Sequence, residues 1–177
     1  MKKLLFFTIT ILFCQVMMAQ TGDKYSKAVY LQFGGAGYNT SLNYDMRFIK
    51  GKADGLGFKI GVGYFQKKSN LTLGDNTFQR TTVPLELNYL YNLRNNKHFI
   101  DFGIAYVPHF TKDTYKNKPI NDSKELLHLS NLSIGYRFQK QNGLFGRVSY
   151  DNTFQYEKDL KLWSFFSFGS VALGYTF

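Results

Sequence analysis

The chain has 177 residues, and its 22 lysines and arginines outnumber 12 aspartates and glutamates, for a net charge of +10. Aromatic residues make up 18% of it, yet the mean hydropathy is only −0.26. Beyond the amino-terminal segment no stretch is apolar enough to cross a membrane as a helix, which excludes a helical membrane protein. The length suits one domain.

The amino terminus resembles a secretory signal peptide. Two lysines follow the first methionine, an apolar run extends to Phe13, and the small residue Ala19 closes the segment. The run is shorter than the roughly 20 apolar residues of a spanning helix, which argues against an uncleaved anchor. We therefore expect a signal peptide at 1–19 and a mature domain at 20–177.

Cys14 is the only cysteine, and it lies inside the predicted signal peptide. Lipoprotein processing at Cys14 is an alternative, although the bulky Phe13 before it is a poor match for a small-residue cleavage site. Cleavage after Ala19 would remove the thiol. The mature domain would then have no disulfide and no thiolate metal site.

Eight segments of the mature chain alternate between apolar and polar or small side chains, the period of a β-strand. Most are close to the 9 to 11 residues that a tilted strand needs to cross a bilayer. An even number of such strands is typical of single-chain bacterial barrels. The segments are 29–38, 42–49, 56–65, 82–91, 99–107, 129–138, 144–152 and 163–177.

The connections alternate in length from the third segment onward. Short turns rich in Gly, Asn, Asp and Lys at 51–55, 92–97 and 139–143 alternate with longer polar stretches. Barrels of this kind have short periplasmic turns and long outer loops. The predicted outer loops are 39–41, which is unusually short, 67–80, 108–125 and 153–162.

Alternation also assigns each side chain to a face. The outward positions carry apolar and aromatic side chains and no charge, as expected for a surface that meets lipid. The inward positions carry four acids and four bases whose charges sum to zero, so we expect paired charges that plug the interior. A narrow ion pathway is the alternative. The inward charges are Asp45, Arg47, Lys59, Glu86, Asp101, Arg137, Arg147 and Asp151.

Pro84 falls on the inward face of the fourth segment. A proline has no N–H to donate to a sheet, and in strands it is found at edges or bulges. We therefore predict a β-bulge near the outer rim.

The last segment ends on an aromatic residue. Large apolar side chains stand at Val171, Leu173, Tyr175 and Phe177. With the eight segments, this pattern resembles the small Gram-negative outer-membrane β-barrel proteins of the OmpA/OmpX type. The resemblance implies an all-β fold, an eight-stranded antiparallel up-and-down barrel in the outer membrane, and identifies these four residues as the signal read by the barrel-assembly machinery.

His128 and Ser130 suggest an enzymatic alternative. The segment 128–131 resembles the His-x-Ser-Asn element of the outer-membrane lipid A 3-O-deacylase, which implies His128 as base and Ser130 as nucleophile, with Glu125 as the available carboxylate. In that family the element lies on the penultimate strand and a carboxylate follows it, whereas here it opens the sixth segment and Asn142 occupies the carboxylate position. We therefore favour a protein without enzymatic activity.

The remaining features bear on partners. Positive charge at both rims suits anionic lipid and lipopolysaccharide, and its spread over both ends argues against nucleic acid. His98 and His109 lack companions at ligand spacing, so we expect neither metal nor cofactor. The long loop 108–125 is the candidate for a protein partner. The sequence thus predicts a structural or interaction protein, with a lipid A hydrolase and a narrow channel or transporter as alternatives.

Overall fold

A computed structural model describes residues 26–37, 39–71, 74–115, 123–157 and 162–177. The predicted signal peptide lies outside the described residues, and so do parts of three predicted outer loops. Among the described residues, no helix is long and apolar enough to cross a membrane.

Nearly all of the described chain is β-strand. A single turn of 3₁₀ helix, Gly35–Gly37, follows the first strand. The strands are β1 (Lys27–Gly34), β2 (Thr40–Arg47), β3 (Gly55–Leu71), β4 (Gly74–Thr82), β5 (Leu85–Arg94), β6 (His98–Tyr115), β7 (Ser123–Gln139), β8 (Gly143–Glu157) and β9 (Leu162–Thr176).

The strands form one closed antiparallel sheet. Apart from β4 and β5, each pairs with its neighbours in sequence, and β1 pairs with β9 to close the ring. Strands β4 and β5 both lie between β3 and β6 and are two parts of one barrel strand. The prediction of an eight-stranded antiparallel barrel is therefore confirmed.

The register sets the tilt of the strands. Following paired residues once around the ring from a residue of β1 leads back to a position about ten residues further along the chain. This stagger is linked to the tilt of the strands, because a sheet closes only when the two agree. Such a stagger corresponds to a steep tilt, about 35–45°. The interior of such a barrel is narrow.

Pro84 interrupts the sheet without a bulge, so the predicted bulge is wrong. Thr82 pairs with Gly63 and Leu85 pairs with Ile60, so the two residues between these pairs on one strand face two on the other. The backbone of Gly61 still donates to the Pro84 carbonyl at 3.0 Å. The proline removes one donor but adds no residue. The register irregularity of this strand lies near the opposite rim, between Asn92 and Arg94.

The strands extend further outward than predicted. Much of the predicted loops 67–80, 108–125 and 153–162 is paired strand in β3, β4, β6, β7, β8 and β9. Beyond the apolar band both faces of a strand can be polar. The alternation of apolar and polar side chains is therefore lost there, although the backbone pairing continues. The sequence pattern therefore predicts the strand within the apolar band and misses its extension.

The first predicted strand, in contrast, ends early. β1 stops at Gly34, and the 3₁₀ turn after it folds toward the barrel interior, where its three residues are buried. Ala36 packs there in a cluster with Ala105, Val107 and Leu129. The short connection at 39–41 thus follows a segment that turns inward.

Interior glycines make room for large charged side chains. A Cβ atom built on Gly57 would overlap the Arg47 guanidinium, and one built on Gly103 would lie 2.7 Å from Glu86 Oε1. Gly146 lies on the outward face of β8, and its Cβ would meet only a Leu173 methyl group at 4.0 Å.

We predict that Gly57→Ala destabilises the barrel by about 1 to 3 kcal/mol, because Arg47 must leave its position in a packed interior. The measurement is the temperature at which the folded, fast-migrating gel band converts to the unfolded one. Gly146→Ala is the matched control and should leave that temperature nearly unchanged. Equal shifts in the two variants would show that Gly57 is not constrained by Arg47.

Candidate functional site: the barrel interior

The structure places all eight predicted inward charges inside the barrel. Each is at most 2% exposed. The side chains come from β2, β3, β5, β6, β7 and β8, so nearly the whole ring contributes. An unpaired charge that is buried so completely would be strongly unfavourable, so each of these side chains needs a counter-charge or a hydrogen-bond partner.

Seven of these charges form a continuous chain of alternating sign. The order is Arg47, Asp45, Arg137, Asp101, Arg147, Glu86 and Lys59. Every anion in it contacts two cations, so no acid of the chain depends on a single partner.

The geometry is tightest around Asp45. Arg47 Nη2 donates to Asp45 Oδ1 at 2.7 Å and Arg137 Nη2 donates to the same oxygen at 3.1 Å. The amide of Asn88 donates to the other oxygen, Oδ2, at 2.6 Å. Asp45 is therefore held from three directions.

The second half of the chain relies more on charge than on hydrogen bonding. Arg147 Nε lies 2.9 Å from Asp101 Oδ2, and Arg147 Nη2 lies 3.8 Å from Glu86 Oε1, but neither contact has hydrogen-bond geometry. Glu86 also pairs with Lys59. No other ion pair of Lys59 is found among the described residues, so Lys59 depends on Glu86.

Asp151 lies apart from the chain, in a cluster of hydroxyl groups. Ser149 Oγ donates to Asp151 Oδ2 at 2.9 Å and Ser170 Oγ donates to it at 2.8 Å. The amide of Gln32 donates to Ser170 Oγ at 3.1 Å. We expected Asp151 to pair with a cation. Hydroxyl groups that donate hydrogen bonds to its carboxylate take the place of that cation.

Several interior residues were missed by the sequence analysis. Tyr30 stacks on Phe145 at 4.3 Å between ring centroids, and the guanidinium carbon of Arg137 lies 4.7 Å above the Phe145 ring. A cation over an aromatic face is favourable. Parity identifies Asn88 as inward, two residues from Glu86. Parity also places Phe145 inward, two residues before Arg147, but an inward aromatic contradicts the expectation of a polar interior.

The outward face of the barrel is uncharged between the two rims, unlike the interior. Most of its positions along the described strands are half-exposed apolar or aromatic side chains, and none between the two rims is charged. Tyrosines flank this apolar band, as in the aromatic girdles of membrane barrels. Members of the band include Leu42, Val62, Leu87, Ile104, Leu132, Ile134, Val148 and Leu173.

Histidine–tyrosine pairs mark both ends of the band between β6 and β7. His98 Nδ1 hydrogen-bonds with the Tyr136 hydroxyl near the end that carries the chain termini, and His128 Nδ1 does so with the Tyr106 hydroxyl near the other, outer end. Amphipathic rings at these two levels suit the membrane–water interfaces.

The residues of the hydrolase alternative do not assemble into a triad. His128 and Ser130 share the outward face, but His128 hydrogen-bonds with Tyr106, and in the described structure no hydrogen bond joins His128 to Ser130. Glu125, an odd-numbered residue, falls on the opposite face of β7 from these even-numbered two. The arrangement gives Ser130 no positioned base.

The predicted assembly signal lies at the end of β9, and the predicted partner loop is largely strand. Val171, Leu173 and Tyr175 are exposed on the outward face of β9, and Phe177 is partly buried after it. Most of the predicted partner loop 108–125 is strand, and residues 116–122 lie outside the described residues. No group of three or more metal-ligating side chains occurs among the residues that the structure describes.

No family model matches the chain, and no curated protein matches it. Solved structures do. The N-terminal β-barrel domain of Pseudomonas aeruginosa OprF is 10% identical, with a TM-score of 0.57 over 86% of this chain and 96% of that one. Neisserial surface protein A is 9% identical, with a TM-score of 0.51 over 86% and 92%. Ail of Yersinia pestis is 11% identical, with a TM-score of 0.47 over 88% and 97%. The first two show the fold, that of the small outer-membrane β-barrels.

We predict that Glu86→Gln destabilises the barrel by about 3 to 5 kcal/mol, because it leaves Lys59 buried without a counter-ion. The measurement is urea unfolding in lipid vesicles, followed by the fluorescence of Trp163, the only tryptophan. The exposed Glu125→Gln makes the same chemical change as a control and should cost little.

A double variant separates charge from packing. Glu86→Gln combined with Lys59→Met restores neutrality and should recover much of the lost stability. A double variant no more stable than Glu86→Gln alone would contradict the charge explanation.

Proposed function

We propose that the chain is an integral outer-membrane protein with a structural or interaction role, whose interior is plugged by ion pairs. The observation that carries the proposal is the segregation of charge. Half of the side chains of the barrel wall form an uncharged apolar band, and the other half hold a chain of buried ion pairs. A water-soluble barrel would have no reason to expose this band.

The interior supports a plug more than a channel. The ion pairs join side chains from opposite sides of the ring, as Asp45 on β2 does with Arg137 on β7. Nearer the outer end, the 3₁₀ turn and its apolar neighbours fill the interior again. An ion would have to displace both layers.

The outer end supports an interaction role. Hairpins β3–β4, β6–β7 and β8–β9 continue beyond the apolar band, while β1 and β2 end at its edge. Half-exposed aromatics stand on β9 there, at Trp163, Phe165 and Phe166. Outer-leaflet lipid and lipopolysaccharide are the proposed surroundings, and the barrel-assembly machinery is the proposed partner during biogenesis.

We predict that the full chain, expressed in a Gram-negative host, appears in the outer-membrane fraction of a density gradient as a heat-modifiable band. Phe177→Ser should lower the assembled amount severalfold, because it removes the terminal aromatic of the assembly signal. Phe138→Ser, a partly buried aromatic at the same end of β7, is the matched control. Recovery in the inner membrane or soluble fraction would refute the proposal, and equal loss in both variants would refute the assembly signal.

A further inference from the structure

A groove of about 430 Å³ crosses the outside of β3, β4, β6 and β7 at the outer end of the apolar band. Its lining residues are Tyr64, Gln79, Thr81, Phe110, Thr111, Lys112, Glu125 and Leu126.

The groove arises from one row of side chains across four strands. Tyr64 pairs with Thr81, Thr81 with Phe110, and Phe110 with Leu126. Thr81 is small, and it stands between two large rings, so the row has a depression at its centre. Tyr64 is 53% exposed and Phe110 is 48% exposed, which leaves both rings available to a ligand.

The chemistry changes along the groove. Toward the middle of the barrel it continues into the apolar band at Val62 and Val83. Toward the outer end the next outward residues are Gln79 on β4 and Lys112 on β6, which pair with each other. A molecule that fits this gradient is apolar at one end and polar with negative charge at the other.

The polar end recognises more than a phosphate. Lys112 supplies a cation for an anionic group, and the uncharged polar side chains beside it suit hydroxyl or amine groups. Gln79 and Thr81 both donate and accept. Two aromatic rings beside these groups suit the C–H face of a sugar, since ligand sites combine apolar and aromatic walls with a few polar groups.

We propose that this groove binds the phosphorylated sugar headgroup of a glycolipid in the outer leaflet, with an acyl chain leaving along the apolar band. The assignment rests on the proposed function, because only a membrane-embedded barrel places the row at headgroup level. A phospholipid without a sugar offers no ring face to Tyr64 and Phe110. Free phosphate uses neither the rings nor the apolar end.

The test is native mass spectrometry of the folded barrel in detergent, titrated with lipid A as the probe. Phe110→Ala should weaken the apparent Kd roughly tenfold, equivalent to about 1.4 kcal/mol. Lys112→Gln should weaken it roughly fivefold at low salt, with the difference shrinking as salt screens the charge. Both variants should still show the heat-modifiable gel band of the folded barrel.

Two matched variants control for non-specific lipid binding. Tyr150→Ala removes a 51% exposed ring from the outward face of β8, away from the groove. Lys140→Gln removes an exposed lysine at the opposite rim. Both should bind lipid A as the unmodified protein does.

Three results would overturn the proposal: unchanged binding in both groove variants, an equal loss in the controls, or equal affinity for phosphatidylethanolamine with the same dependence on Phe110. The assay in detergent does not depend on cellular location. A chain absent from the outer membrane would therefore refute the proposed function alone, and non-selective binding would refute only the groove.

Discussion

When an eight-stranded sheet closes into a barrel, every second side chain points into the narrow interior. Those side chains must then fill the interior. Charges placed there lose most of their contact with water, so each must find a counter-charge or a hydrogen bond. The chain from Arg47 to Lys59 meets this demand by alternating sign along its length. Because each acid lies between two cations, losing one residue affects its neighbours on both sides. The interior glycines follow from the same demand, as Gly57 beside the Arg47 guanidinium illustrates.

The two layers of the interior have different chemistry. The ion-pair chain contains long side chains that reach across the ring, and Tyr30 and Phe145 stack among them. Toward the outer end the side chains become small and apolar, and the backbone of the 3₁₀ turn occupies the space that they leave. The early end of β1 is what allows that turn to fold inward. On the proposed account, the short first connection is part of the plug.

Periodicity predicts the number of strands and the face of each side chain, because an apolar outer face and a polar inner face impose a period of two. Periodicity does not give the position of a side chain along the barrel axis relative to side chains on other strands. It places Asp101 and Asp151 on the same face but cannot tell that Asp101 meets two arginines while Asp151 meets serines. The strand extensions beyond the apolar band were missed because the alternation weakens there. Parity alone, however, separates Glu125 from His128 and Ser130, and that argument against a triad was available in the sequence.

The central claim is that paired charges close the interior of this barrel. Conductance across planar bilayers holding the purified, heat-modifiable protein tests it most directly. We expect no steps above the leak of the bare bilayer, at either polarity, because the neutral ion-pair chain and the inward turn leave no continuous path. Reproducible single-channel steps from the unmodified protein, carried by small ions, would contradict it.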